Sequence, residues 1–143
     1  MTINEQQDEL IDDFSLFSDW MDKYDYIIQL GKELPLIAEQ YKVPENLIKG
    51  CQSQVWLQAA YEDGKINFTA DSDAIITKGL ISMVIKVLSG HTPKEIADAD
   101  LYFINAIGLT SHLSPTRSNG LLSMLKQIKN YAVAYQAKDF SNN

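Results

Sequence analysis

The run from Gln54 to Ala70 constrains the fold more than any other part of the chain. Val55, Leu57, Ala59 and Tyr61 fall on alternate positions, the period of a strand with one buried face. Ile66, Phe68 and Ala70 then alternate with Lys65, Asn67 and Thr69. Between them lies Glu62-Asp63-Gly64-Lys65, and Asp-Gly suits the type I′ turn of a tight hairpin. The pattern predicts two antiparallel strands with one apolar and one mostly polar face. Trp56 points away from Val55 and Leu57. The expectation is that the N-terminal helices cover it, the other place for it being the border of the cysteine site described below.

The flanks have helical spacing. Leu10, Ile11, Phe14 and Phe17 mark a short amphipathic helix, and Trp20, Tyr24, Ile27 and Ile28 mark a second. Ser18 is the expected N-cap of the second, and Gly31 and Pro35 limit it. Leu36 to Tyr41 suits another helical turn, which Val43-Pro44-Glu45-Asn46 breaks. Leu47 to Lys49 suits a short third strand. After the hairpin, Asp71 or Ser72 is placed to cap a helix striped by Ile76, Leu80, Met83, Val84 and Val87, closed at Ser89-Gly90. Thr92-Pro93-Lys94-Glu95 is a capping box with proline at the first helical position. The segment from Leu101 to Leu109 is mixed and has no clear assignment. Ser114-Pro115 opens a last long helix striped by Leu121, Leu125, Ile128, Ala132 and Tyr135, with a frayed tail from Asp139 to Asn143. The predicted fold is one α+β domain over residues 1–143, with a small antiparallel sheet of about three strands and helices on one side of it.

The chain has a single cysteine, Cys51, in Ile48-Lys49-Gly50-Cys51-Gln52-Ser53-Gln54-Val55-Trp56. A lone thiol is most often an inert small hydrophobe. Here Gly50 precedes it, polar residues follow it, and a strand begins directly after. That context predicts a loop held by a rigid sheet, a common place for a reactive group.

Composition narrows the classes. One cysteine forms no internal disulfide, which fits the cytoplasm. The acidic N-terminus does not resemble a secretory signal, and no apolar run approaches the roughly 20 residues of a membrane span. A net charge of −7 argues against nucleic acid as the main partner, since phosphate binding needs a basic face.

The residue inventory also excludes chemistry. One cysteine and two histidines, His91 and His112, are too few for a structural zinc site or an iron–sulfur cluster. There is no CxxC redox pair. A cysteine hydrolase would pair the thiol with a histidine such as His112, for which the spacing gives no positive signal. A non-catalytic binding module stays open. What needs least from the chain is a thiol that receives and hands on a group. Nearby positive charge would help to populate its thiolate. Arg117, at the start of the last helix, opposes the helix dipole at a cost of roughly 0.3–1 kcal/mol, and a local rule broken without compensation is often functional. The alternative for Arg117 is an ordinary surface ion pair with one of 19 acidic residues. For His112 it is a solvated or hydrogen-bonded loop side chain.

The cysteine stretch, together with Asp71-Ser72-Asp73-Ala74-Ile75-Ile76-Thr77-Lys78-Gly79-Leu80, Leu113-Ser114-Pro115-Thr116-Arg117-Ser118-Asn119-Gly120-Leu121 and the helix around Tyr24 to Gly31, resembles the SufE family of sulfur acceptors, which includes the CsdE-type proteins. The likeness spans nearly the whole domain in the same order. It implies a fold like that of the IscU-type scaffolds and a carrier rather than an enzyme. Its Cys51 would take persulfide sulfur from a pyridoxal-phosphate-dependent cysteine desulfurase of the SufS type, raise that enzyme's turnover, and deliver the sulfur to a SufBCD-type scaffold. The chain would hold no cofactor of its own. The resemblance maps the family's arginine onto Arg117 and its acidic residue near the cysteine loop onto Asp73; Gln52, Ser53 and His112 are further candidates for docking or support. A homodimer stays open, as does a CsdE-type role serving another desulfurase and other acceptors. The expected loop is sheltered at rest and swings out on docking.

Overall fold

The computed structural model describes residues 1–141. Helices α1 (Ile3–Ser15) and α2 (Trp20–Gly31) precede two 3-10 turns, Glu39–Tyr41 and Pro44–Asn46. The hairpin of β1 (Val55–Glu62) and β2 (Lys65–Ser72) follows, then α3 (Ile75–Leu88), α4 (Pro93–Asp98), α5 (Phe103–Ile107), α6 (Leu109–His112) and α7 (Pro115–Ser141). The α+β expectation holds. Helix α7 runs into the segment expected to fray, and residues 142 and 143 of that segment lie outside the described residues.

The hairpin forms in the register its alternation dictates. Leu57 pairs with Ala70, Ala59 with Phe68 and Tyr61 with Ile66, all on one face. Asp63 and Gly64 have φ of 53° and 78°, the two positive values that a type I′ turn requires. A two-stranded ribbon is marginal by itself, and here its apolar face is closed by α3. That helix is buried almost all round, from Gly79 to Ile85 and again at Val87 and Leu88. It packs against β2, α1, α2 and α7, so it is the centre of the core rather than a one-sided surface helix.

The sheet has two strands among the described residues, not three. Leu47 makes only a single bridge to Trp56, with the Ile48 N–H donating to the Val55 carbonyl at 2.8 Å. A 3-10 turn directly before it and a glycine turn directly after it leave no length for a ladder. Two similar short contacts, Leu36 with Ala70 and His91 with Ile66, cover the other edge of the hairpin. Trp56 also departs from expectation. It lies beneath Lys42, whose Nζ is 5.2 Å from the ring centroid, and not beneath the N-terminal helices. Those helices are drawn to the apolar side by α3. On the outer face Lys42 and Lys78 both pair with Asp71, at 2.8 and 3.4 Å.

Most of the caps fall where the residue types place them. Thr92 and Glu95 form the reciprocal capping box of α4, and the Ser114 Oγ accepts the Arg117 N–H at 3.3 Å to start α7. Two are shifted by a residue or more: Asp19, not Ser18, caps α2, and Ala74 is the N-cap position of α3, its N–H bonded to the Ser72 Oγ at 3.2 Å. The unassigned stretch from Leu101 to Leu109 becomes α5 and the start of α6, turned by Gly108 at φ 92°. Its start is set from afar. The fully buried Gln7 donates to the Asp100 carbonyl and accepts from the Phe103 N–H, both within 3.1 Å.

Helices α2 and α3 meet through glycine. A Cβ on Gly79 would stand 2.1 Å from the Ile27 carbonyl oxygen, so only a hydrogen fits there. One turn on, the buried Ser82 hydroxyl donates to the Leu30 carbonyl at 2.6 Å. This close crossing fixes the first turn of α3, which forms one wall of the site below.

Candidate functional site: a thiol at the floor of a cavity

The six residues from Lys49 to Gln54 form a loop whose two ends are tied. The Ile48–Val55 hydrogen bond closes its base. On the β1 side the Gln54 N–H donates to the Asp73 carboxylate at 3.0 Å, and the Asp73 N–H returns a bond to the Gln54 carbonyl at 3.3 Å. Gly50 turns the chain at φ 89°, and a Cβ there would lie 2.7 Å from the Ser123 Oγ of α7. The loop is thus pressed against α7, and Cys51 is directed at Gly120. The thiol lies 3.6 Å from the Gly120 carbonyl oxygen, to which it donates.

Cys51 is partly buried at the floor of an open cavity of about 350 Å³. Gln52 and Ser53 from the loop, Thr77 from α3, and Thr116 and Arg117 from α7 line it. Beneath the sulfur the walls turn apolar, with Val55, Leu80, Leu121 and Met124. Burial pushes the thiol up from its ordinary value, and no neighbouring charge offsets this. Arg117 is exposed at the rim and makes no ion pair among the described residues. The arrangement stores a protonated thiol in a partly apolar recess, below a cationic rim that an incoming group must pass.

Four of the candidate residues, Cys51, Gln52, Ser53 and Arg117, therefore share one cavity. Asp73 stands behind it as the clamp on the loop base. His112 stands apart. Its ring stacks on Trp20 with centroids 3.9 Å apart, its Nδ1 lies 3.0 Å from the Gly108 carbonyl, and its own carbonyl accepts the Tyr24 hydroxyl. Thr77, Thr116, Gly120 and Ser123 were not singled out from sequence. Gly120 alone carried a signal, a glycine one turn after Arg117 inside a long helix. Among the described residues no three His, Cys, Asp or Glu side chains come together as a metal site would need, and no helix is long and apolar enough to cross a membrane.

Fold and site together define a small α+β domain built to hold one thiol in a loop between a hairpin and a long helix. Comparison with known proteins gives that class its family. The SufE model, described as an Fe-S metabolism associated domain, matches residues 8–132. An uncharacterized SufE-like protein of Rhizobium etli is 46% identical over 130 residues, covering 87% of this chain and 88% of the relative. Another, from Rhizobium meliloti, is 43% identical over 130 residues, covering 87% and 93%. The solution structure of a hypothetical protein from Thermus thermophilus superposes with a TM-score of 0.76 at 16% identity, covering 92% of this chain and 96% of that one, a likeness of fold. The chain belongs to the SufE family and so to iron–sulfur metabolism.

Proposed function

We propose that this protein carries sulfur. A cysteine desulfurase of the SufS type, using pyridoxal phosphate, holds the sulfur removed from cysteine as a persulfide on its own thiol. The Cys51 thiolate attacks the outer sulfur of that persulfide. The donor S–S bond breaks, a new S–S bond forms on Cys51, and the desulfurase cysteine leaves as a thiolate. The exchange is balanced and needs no outside oxidant or reductant. Removing the product sulfur frees the desulfurase for another turnover. The carrier then gives its sulfur to a SufBCD-type assembly scaffold in the cytoplasm.

The observation that carries this reading is the placement of Cys51. It is recessed enough to shield a persulfide from reductants, yet it opens to a cavity large enough to admit a partner's reacting group. At rest burial keeps the thiol protonated, so transfer requires the loop to leave its seat on α7 when the donor docks. Mass spectrometry after incubation with desulfurase and cysteine tests it. The wild-type chain should gain one sulfur atom, and Cys51→Ser should gain none. A Cys51→Ser protein that still gains the atom overturns the assignment.

A further inference from the structure

The 19 acidic residues and 12 cations of this chain are not evenly spread. The first 25 residues hold eight acids and one cation, Lys23. Residues 101–138 hold Arg117, Lys126, Lys129 and Lys138 and no acid at all. Lys129 is occupied, donating to the carbonyls of Ala97 and Ala99 at the end of α4. Lys126 is exposed and makes no ion pair among the described residues; the same holds for Lys49, which stands directly before the Gly50 turn.

These two lysines share a groove. It lies between α7 and the segment from Glu45 to Lys49, has a volume of about 480 Å³, and includes Ser123, the residue that backs Gly50. Glu45 is its one acidic lining residue. Along α7 the groove is bordered by an exposed stripe at helical spacing, Leu122, Lys126, Asn130 and Val133, with Leu122 and Val133 each more than half exposed. So a mixed apolar and cationic strip on an otherwise acidic protein runs into the loop that holds Cys51.

We propose that this groove is the seat of the sulfur donor, and that it grips an acidic segment of the desulfurase surface carrying an apolar side chain. Lys49 and Lys126 supply the attraction and Leu122 the apolar contact. The inference rests on the sulfur-carrier reading and adds where the donor binds. Two arguments favour the donor over other occupants. The groove is continuous with the Cys51 loop through Lys49 and Ser123, so a body seated in it presses on the Gly50 turn. A second copy of this protein would also bring its own net charge of −7 against the −7 of this one, a repulsion between whole chains that opposes self-association, so the local cations suit a partner that presents carboxylates at the contact.

The test is the affinity of the full-length protein for its desulfurase, at low and high salt, for wild type, Lys49→Glu/Lys126→Glu and the control Lys32→Glu/Lys86→Glu. The control carries the same change of net charge on exposed lysines outside the groove. The groove variant should bind about tenfold or more weakly at low salt, with a gap that narrows at high salt, while the control binds as wild type. Leu122→Ala should weaken binding at both salt levels. Equal losses in groove variant and control, or no loss in either, overturn the groove while wild-type sulfur loading of Cys51 stands. A change in the sedimentation mass of the groove variant alone would assign the strip to self-association and also overturn it. If wild type acquires no sulfur from the desulfurase, the carrier reading falls and takes the groove with it.

Discussion

Cys51 Sγ and Gly120 face each other across the cavity floor with only a hydrogen atom between the sulfur and the helix. A Cβ on Gly120 would stand 3.4 Å from Sγ, an ordinary contact that nonetheless takes up the space beside the thiol. Gly120 lies inside α7, where glycine costs roughly 0.5–1 kcal/mol relative to alanine. Gly120→Ala should therefore raise the thermal midpoint by about 2 °C and slow alkylation of Cys51 by iodoacetamide. The two measurements should move in opposite directions, stability up and reactivity down. A variant that alkylates as fast as wild type would show that the glycine is not there for access to the sulfur.

The thiol itself sets a pH dependence. Burial raises its pKa in the folded state. The folded protein then holds this proton over a range where the unfolded chain has lost it. The stabilisation is fully present below the unfolded thiol's pKa and declines as pH rises through the folded one. Wild type should lose stability in mildly alkaline solution, and Cys51→Ser, which has no proton to lose there, should lose less. In the native protein the pH midpoint of alkylation should lie above that of the same chain in urea. A native midpoint below the unfolded one would mean that a cation, with Arg117 in the same cavity the candidate, already holds a thiolate at rest.

Arg117 carries a functional expectation that its energetics sharpen. It sits in the first turn of α7, where a cation opposes the helix dipole, and it has no carboxylate partner among the described residues. Its removal should leave stability unchanged or raise it by about 0.3 kcal/mol. Arg117→Ala should nevertheless weaken stimulation of the desulfurase. Arg117→Lys keeps the charge but not the planar fork, so partial recovery would assign the role to charge and none would assign it to bidentate geometry. Full stimulation by Arg117→Ala, measured as alanine production, would reduce this residue to surface charge.

The hairpin was legible because its information is local. Alternation from Val55 to Ala70 and the Asp63-Gly64 turn determine the register without help from the rest of the chain. The capping box at Thr92 and the start of α7 at Ser114 are local in the same sense. What sequence spacing did not carry was contact between distant segments. Cys51 and Gly120 are 69 residues apart, and Gln7 sets the start of α5 from 96 residues away. Trp56 was misplaced for that reason: its cover, Lys42, lies in an irregular segment with no period to reveal which way it faces. The third strand failed because Leu47 has strand character but too little chain between two turns. Of the site, the loop and its thiol could be read directly. Asp73 and Arg117 entered by family resemblance and the helix-dipole argument, and the wall residues Thr77, Thr116 and Ser123 had no signal of their own.

The most severe single change should lie at the crossing of α2 and α3 rather than in the cysteine loop. At Gly79 a methyl group would meet the carbonyl oxygen of Ile27 at 2.1 Å and its carbon at 2.8 Å, and neither is the free end of a flexible side chain. The Gly31 side of the same crossing is already tight, with a Cβ there 3.1 Å from the Gly79 nitrogen. Relief requires α2 and α3 to move apart, which loosens the Ser82–Leu30 bond and the packing of Ile27 on the core. Although alanine is the better helix former, Gly79→Ala should cost about 1–3 kcal/mol in urea denaturation, a large part of what a domain of this size possesses. Because α3 also carries Thr77 into the cavity wall, partial opening of this crossing should speed alkylation of Cys51 below the unfolding transition. A Gly79→Ala protein as stable as wild type would mean that the two helices have slack at this crossing.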